Sequence, residues 1–130
     1  MLEGASSWDE TIRSAAEGDQ DAYHSLLEAP AELDRRLEEC FESRDGTGRL
    51  RELVVELIWQ RKHPRAPELL AHALADPSDE VRKQALDGLV SIGGAECRAI
   101  VARAAEACDP RDEWRGWLVE AGEQIDELGL

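Results

Sequence analysis

Asp76-Pro77-Ser78-Asp79-Glu80-Val81-Arg82 returns 33 residues later as Asp109-Pro110-Arg111-Asp112-Glu113-Trp114-Arg115, identical at five of seven positions. Stepping back 31 residues from Asp76 and Arg82 reaches Asp45 and Arg51, so an aspartate followed six residues on by an arginine occurs three times. A period of a few tens of residues signals stacked supersecondary units, each unable to bury its apolar face alone. The apolar positions keep the same step. Leu50, Val54, Val55 and Ile58 correspond to Val81, Ala85, Leu86 and Leu89, and to Trp114, Leu118, Val119 and Gly122. Offsets of four, five and eight residues belong to one side of a helix, whereas a strand would alternate.

A second helical pattern precedes each aspartate: Leu33, Leu37, Cys40 and Phe41; Leu69, Leu70, Ala73 and Leu74; Ile100, Val101, Ala104 and Ala105. Each unit therefore reads as a helical hairpin, with boundaries at 30–63, 64–94 and 95–128, after a helical cap over 1–29. Asp109 with Pro110 predicts a capped helix start, Ser78 or Asp76 caps the middle unit, and Ser7-Trp8-Asp9-Glu10 fits a capping box. The cap region holds that helix, ending near Gly18, and a short one over 22–28. Leu53-Val54-Val55-Glu56-Leu57-Ile58 has the composition of a strand, but its place in a helix-period pattern makes it a buried helix. The expectation is an all-α protein of about eight helices in a single domain.

Composition narrows the function. The 130 residues carry 29 acidic and 15 basic side chains, a net charge of −14, which opposes binding to nucleic acid or an anionic membrane. The excess lies at the two ends, with −6 over residues 1–29 and −5 over 95–130 against −3 between them, as a short array with polar end surfaces would carry. No segment approaches the roughly 20 apolar residues of a membrane span. Cys40, Cys97 and Cys108 are an odd number and the start of the chain has no basic, apolar leader, so the cysteines read as reduced thiols of a cytoplasmic protein. His24, His63 and His72 show no metal-ligand spacing with them, and Gly46-Thr47-Gly48 lacks the lysine of a phosphate loop. No cofactor, metal or catalytic motif is expected.

Asp76, Pro77, Val81, Arg82, Ala85, Leu86, Leu89, Ile92 and Gly93 together resemble the HEAT-repeat family, and the resemblance covers about three quarters of the chain. It departs from the pattern at Gly46-Thr47-Gly48 in the first unit and at Trp114 and Gly122 in the third. The family implies a short right-handed α-solenoid of about three antiparallel helix pairs. It also implies a structural ladder in which Asp45, Asp76 and Asp109 meet Arg51, Arg82 and Arg115 of neighbouring turns.

Within such a stack, projection at 100° per residue aligns Glu52, Glu56 and Gln60 with Lys83, Asp87 and Ser91, and with Gly116, Glu120 and Gln124. Glu56, Asp87 and Glu120 would form an acidic row on the concave face, flanked by Trp59 and Trp117. Packing competes with partner anchoring for the tryptophans, and plain solvation with recognition for the acids. The leading expectation is a non-catalytic module, monomeric or weakly oligomeric, binding another and possibly basic protein through this face. An immunity or antitoxin-like protein masking a basic toxin is one alternative; an accessory or chromophore-lyase-like protein is another.

Overall fold

The computed structural model describes residues 3–43 and 46–128, with side chains from residue 8 onward. The described residues form eight α-helices and no strand: α1 (Glu3–Ala16), α2 (Gln20–Leu27), α3 (Glu32–Ser43), α4 (Gly48–Gln60), α5 (Ala66–Ala73), α6 (Asp79–Ile92), α7 (Gly94–Ala107) and α8 (Glu113–Glu127). The helices gather into two compact units, Met1–Pro64 and Arg65–Leu130.

In the first unit α1 packs on α2 and α3 on α4, and the pairs meet through α1 with α3 and α4 and through α2 with α4. The residues read as a cap thus contribute a full helix pair to the core. Leu26, Leu33, Leu37, Val55, Leu57 and Ile58 are completely buried there. The run with strand-like composition lies inside α4, where all its residues but Glu56 are buried, because packing on three neighbours outweighs β propensity. α1 already begins at Glu3, so Ser7 lies within the helix and not at its cap; no proline or β-branched residue between 3 and 10 interrupts the upstream turn.

Helix ends in this unit follow capping chemistry. Gly18, at φ 109°, closes α1 with Gly18 N–H donating to Ala15 and Asp19 N–H to Ser14. Asp19 then caps α2 by accepting from Ala22 N–H at 3.1 Å. The end of α4 is closed the same way, with Lys62 N–H donating to Trp59 and His63 N–H to Ile58, but the left-handed position is held by Lys62 at φ 58°. Arg36 clamps α3 to α1 through two parallel bonds to Asp9, of 2.7 and 2.8 Å.

In the second unit α5 packs on α6 and α7 on α8, with α5 against α7, α6 against α8, and α6 also against α7. Leu69, Leu70, Val81, Ala85, Leu89, Cys97, Val101 and Leu118 fill the interior. Ser78 caps α6, accepting from Val81 N–H, and Thr47 caps α4 in the same way 31 residues earlier. The expected cap at Asp109 is corrected: α8 starts at Glu113, and Asp112 caps it by accepting from Trp114 N–H at 2.9 Å. Asp109 instead folds its own turn, accepting from Arg111 N–H at 2.8 Å, as Asp76 does from Ser78 N–H at 2.8 Å.

The third apolar set also needs correction. Leu118, Ala121, Gly122 and Ile125 face the interior, whereas Val119 is 44% exposed. Offsets of three, four and seven residues place the buried stripe one position away from the one the repeat projects. Gly122 is buried because Arg98 of α7 crosses it: a Cβ there would come within 2.9 Å of Arg98 Nη1, whose Nε donates to Asp126 at 3.0 Å.

Candidate functional site

The aspartate–arginine repeats serve their own turns. Arg82 Nη1 donates to the carbonyls of Asp76 at 2.9 Å and Pro77 at 3.3 Å, and its Nη2 to the Asp79 carboxylate. Arg51 Nη1 donates to the Gly46 carbonyl at 3.0 Å, the counterpart of Pro77 31 residues earlier. Arg115 Nε reaches the Ala105 carbonyl at 3.1 Å, at the end of α7. The arginine of each repeat thus ties a helix start to backbone carbonyls before it, where carbonyls lack donors. Asp45 lies outside the described residues.

On α4, the predicted partner-binding residues are divided. Glu52 and Glu56 are half-buried and line a cleft of about 370 Å³ with Tyr23, Arg49 and Asp19, while Trp59 is half-buried and Gln60 exposed. Tyr23 Oη donates to Glu56 Oε2 at 2.6 Å, and Arg49 Nε donates to the Ala16 carbonyl that ends α1. Burial first, and then the bond to Glu56, push the Tyr23 phenol well above its usual range, so this hydrogen persists through neutral pH. Such a phenol is a poor general acid or base, for which a pKa near the working pH serves best.

In the second unit the predicted residues come together on α6 and α8. Lys83 Nζ stands 5.0 Å from the centre of the Trp117 ring, and next to it Arg82 Cζ lies 5.3 Å from that of Trp114. Trp114 is half-buried, but Trp117 is 46% exposed. One turn beyond the Lys83–Trp117 contact, Asp87 and Glu120 are exposed, followed by Ser91 and Gln124. Glu56 belongs to the first unit and Asp87 and Glu120 to the second.

Although Asp87 as a residue is exposed, its surroundings desolvate the carboxyl and raise its pKa. A carboxyl whose folded pKa exceeds the unfolded value binds more protons when folded, so its charge costs stability as pH rises through that pKa. Asp87→Asn should therefore raise the melting temperature at pH 7, with the difference fading below about pH 4; an unchanged or lowered melting temperature at pH 7 would refute this.

Burial also pushes the Cys97 and Cys108 thiols up, helped by Glu96 and by Asp112 respectively. Cys97 is buried and Cys40 and Cys108 are half-buried, and among the described residues none of the three is joined in a disulfide. Among the described residues no group of His, Cys, Asp and Glu is arranged to hold a metal, and no described helix is long and apolar enough to cross a membrane.

Sequence reasoning missed one densely bonded side chain. Arg61, whose side chain is 5% exposed, donates through Nε to Asp34 Oδ1 at 2.9 Å and through Nη1 and Nη2 to the carbonyls of Leu26 at 2.6 Å, Ala29 at 2.9 Å and Pro30 at 3.1 Å. Beside it His63, 6% exposed, donates Nε2–H to the Asp34 carbonyl at 3.1 Å. Their acceptors lie 27 to 35 residues away, where no local pattern points. Comparison of the chain with family models, with curated proteins and with solved structures finds no match.

Proposed function

We propose that the chain is a non-catalytic protein-binding module of the cytoplasm, built on HEAT-like helix pairs and engaging a basic partner protein through the α6–α8 face. The pairwise contacts of first helix with first and second with second within each unit support the HEAT-like reading. The observation that carries the function is Trp117, a large aromatic surface left 46% exposed beside Asp87, Glu120 and Gln124, with Lys83 over its ring. Buried tryptophans dominate the energetics of protein interfaces. The net charge of −14 supports a basic partner by speeding encounter and rejecting acidic competitors. Masking of a basic toxin by an immunity-type protein is one form this function takes.

The test is site-specific photo-crosslinking from position 124 in native extract. A basic protein should be captured, less so as salt shortens the screening length below about 10 Å. Trp117→Ala should weaken its binding by about 2 kcal/mol, or roughly thirtyfold. Capture that Trp117→Ala leaves untouched would overturn the proposal.

A further inference from the structure

Lys83 and Arg82 are consecutive on α6, and each covers a tryptophan of α8, yet they are held differently. Arg82 is fastened by the carbonyls of Asp76 and Pro77 and by the Asp79 carboxylate. Among the described residues Lys83 has no hydrogen-bond or ion-pair partner; the Trp117 ring is its contact. Trp114 beneath Arg82 is half-buried, while Trp117 beneath Lys83 is 46% exposed. One cation is therefore tied to the fold by several bonds, and the other rests on its ring alone.

We propose that Lys83 is an internal placeholder, and that the occupant of the Trp117 ring is a cationic side chain on a basic helix of the partner, which displaces Lys83. The proposal rests on the protein-binding reading given above and specifies how that face is used. Charge complementarity supports this occupant: Asp87 and Glu120 stand one turn beyond the ring and supply counter-charges for an incoming guanidinium. An apolar side chain on the same face of that helix also has a place to go. Leu128, 56% exposed, is the C-cap of α8, eleven residues beyond Trp117, which projects it to the same side of the helix about 16 Å along the axis. A helix presenting an arginine and, three turns away on the same face, an apolar side chain matches both points, read as spaced anchors along one helix face. Exchange of one cation for another on the same ring retains the cation–π attraction, while burying the ring adds the desolvated share of it.

The chain has two lysines, Lys62 and Lys83, so reductive methylation with ¹³C-formaldehyde gives two dimethyl-lysine signals that keep their charge. The Lys83 signal should lie upfield of Lys62 through the ring current, and Trp117→Ala should remove the offset. The probe is a synthetic basic helix of about 18 residues that carries an arginine and, eleven residues on along the same face, a leucine, long enough to cover three turns. On saturation the Lys83 signal should move to its Trp117→Ala position. Lys83→Met should tighten peptide binding about fivefold more than Lys62→Met, which controls for the change in net charge. A peptide that saturates and perturbs the Trp117 indole while Lys83 stays under the ring would overturn the displacement and leave the binding face standing. A peptide that perturbs neither would overturn the helical occupant, whereas the binding face itself is judged by the photo-crosslinked partner.

Discussion

Arg61→Ala should destabilise the protein by about 3 kcal/mol, measured as a shift in the denaturant midpoint at constant slope. The guanidinium is almost fully withdrawn from water, and one planar group serves one carboxylate and the carbonyls at the end of α2 and in the turn before α3. Removing it leaves Asp34, 20% exposed, without its partner, and takes a positive charge from the carboxyl end of α2. The penalty arises mainly from the carboxylate left behind, so Arg61→Ala with Asp34→Asn should cost less than the two changes added together. Arg61→Lys should recover only part of the loss, because an ammonium keeps the charge but not the fork that reaches several acceptors. A midpoint for Arg61→Ala within about 1 kcal/mol of the parent would show that the cluster contributes no more than a surface pair.

Leu57→Ala should cost about 2–5 kcal/mol, while Val119→Ala should stay within about 0.5 kcal/mol of the parent. Leu57 has no exposed surface and sits on α4, which touches α1, α2 and α3, so the space it leaves can collapse only by moving a helix. Leu57→Met keeps the volume and should cost under about 1.5 kcal/mol. Val119 is 44% exposed, and trimming it removes little surface from the interior. Comparable losses at the two positions would mean that the repeat register, with Val119 in the apolar set, describes the interior better than the structure does.

These cases show how far each source of information reaches. The spacing of apolar residues located α3 to α7 closely, because helix period and capping are local: the residues that decide them lie within two turns. Thr47 and Ser78 as equivalent caps, and the backbone-bound arginines Arg51 and Arg82, carry the 31-residue period into the geometry. The same logic failed at α8, where Pro110 drew the start of the helix three residues too early, and at α1, where a plausible capping box lay inside a helix. A capping residue can act only where the chain actually turns.

For the candidate site, the sequence selected Lys83, Asp87, Trp117 and Glu120 by projection, and they share the α6–α8 face. It could not distinguish Glu56, which lines a cleft beside Tyr23, from Glu120, which meets solvent, since both occupy the same projected position.

The sequence by itself determined the helical class, the order of the elements and the net charge, because composition and short-range periodicity are properties of the chain. Only the tertiary structure decided that Arg61 and His63 converge on α3, that Glu56 meets Tyr23, and that Lys83 rests on an exposed ring while Arg82 is fastened. Those contacts join residues some 27 to 35 positions apart, and which pairs meet depends on how helix faces pack, a choice the interior makes collectively.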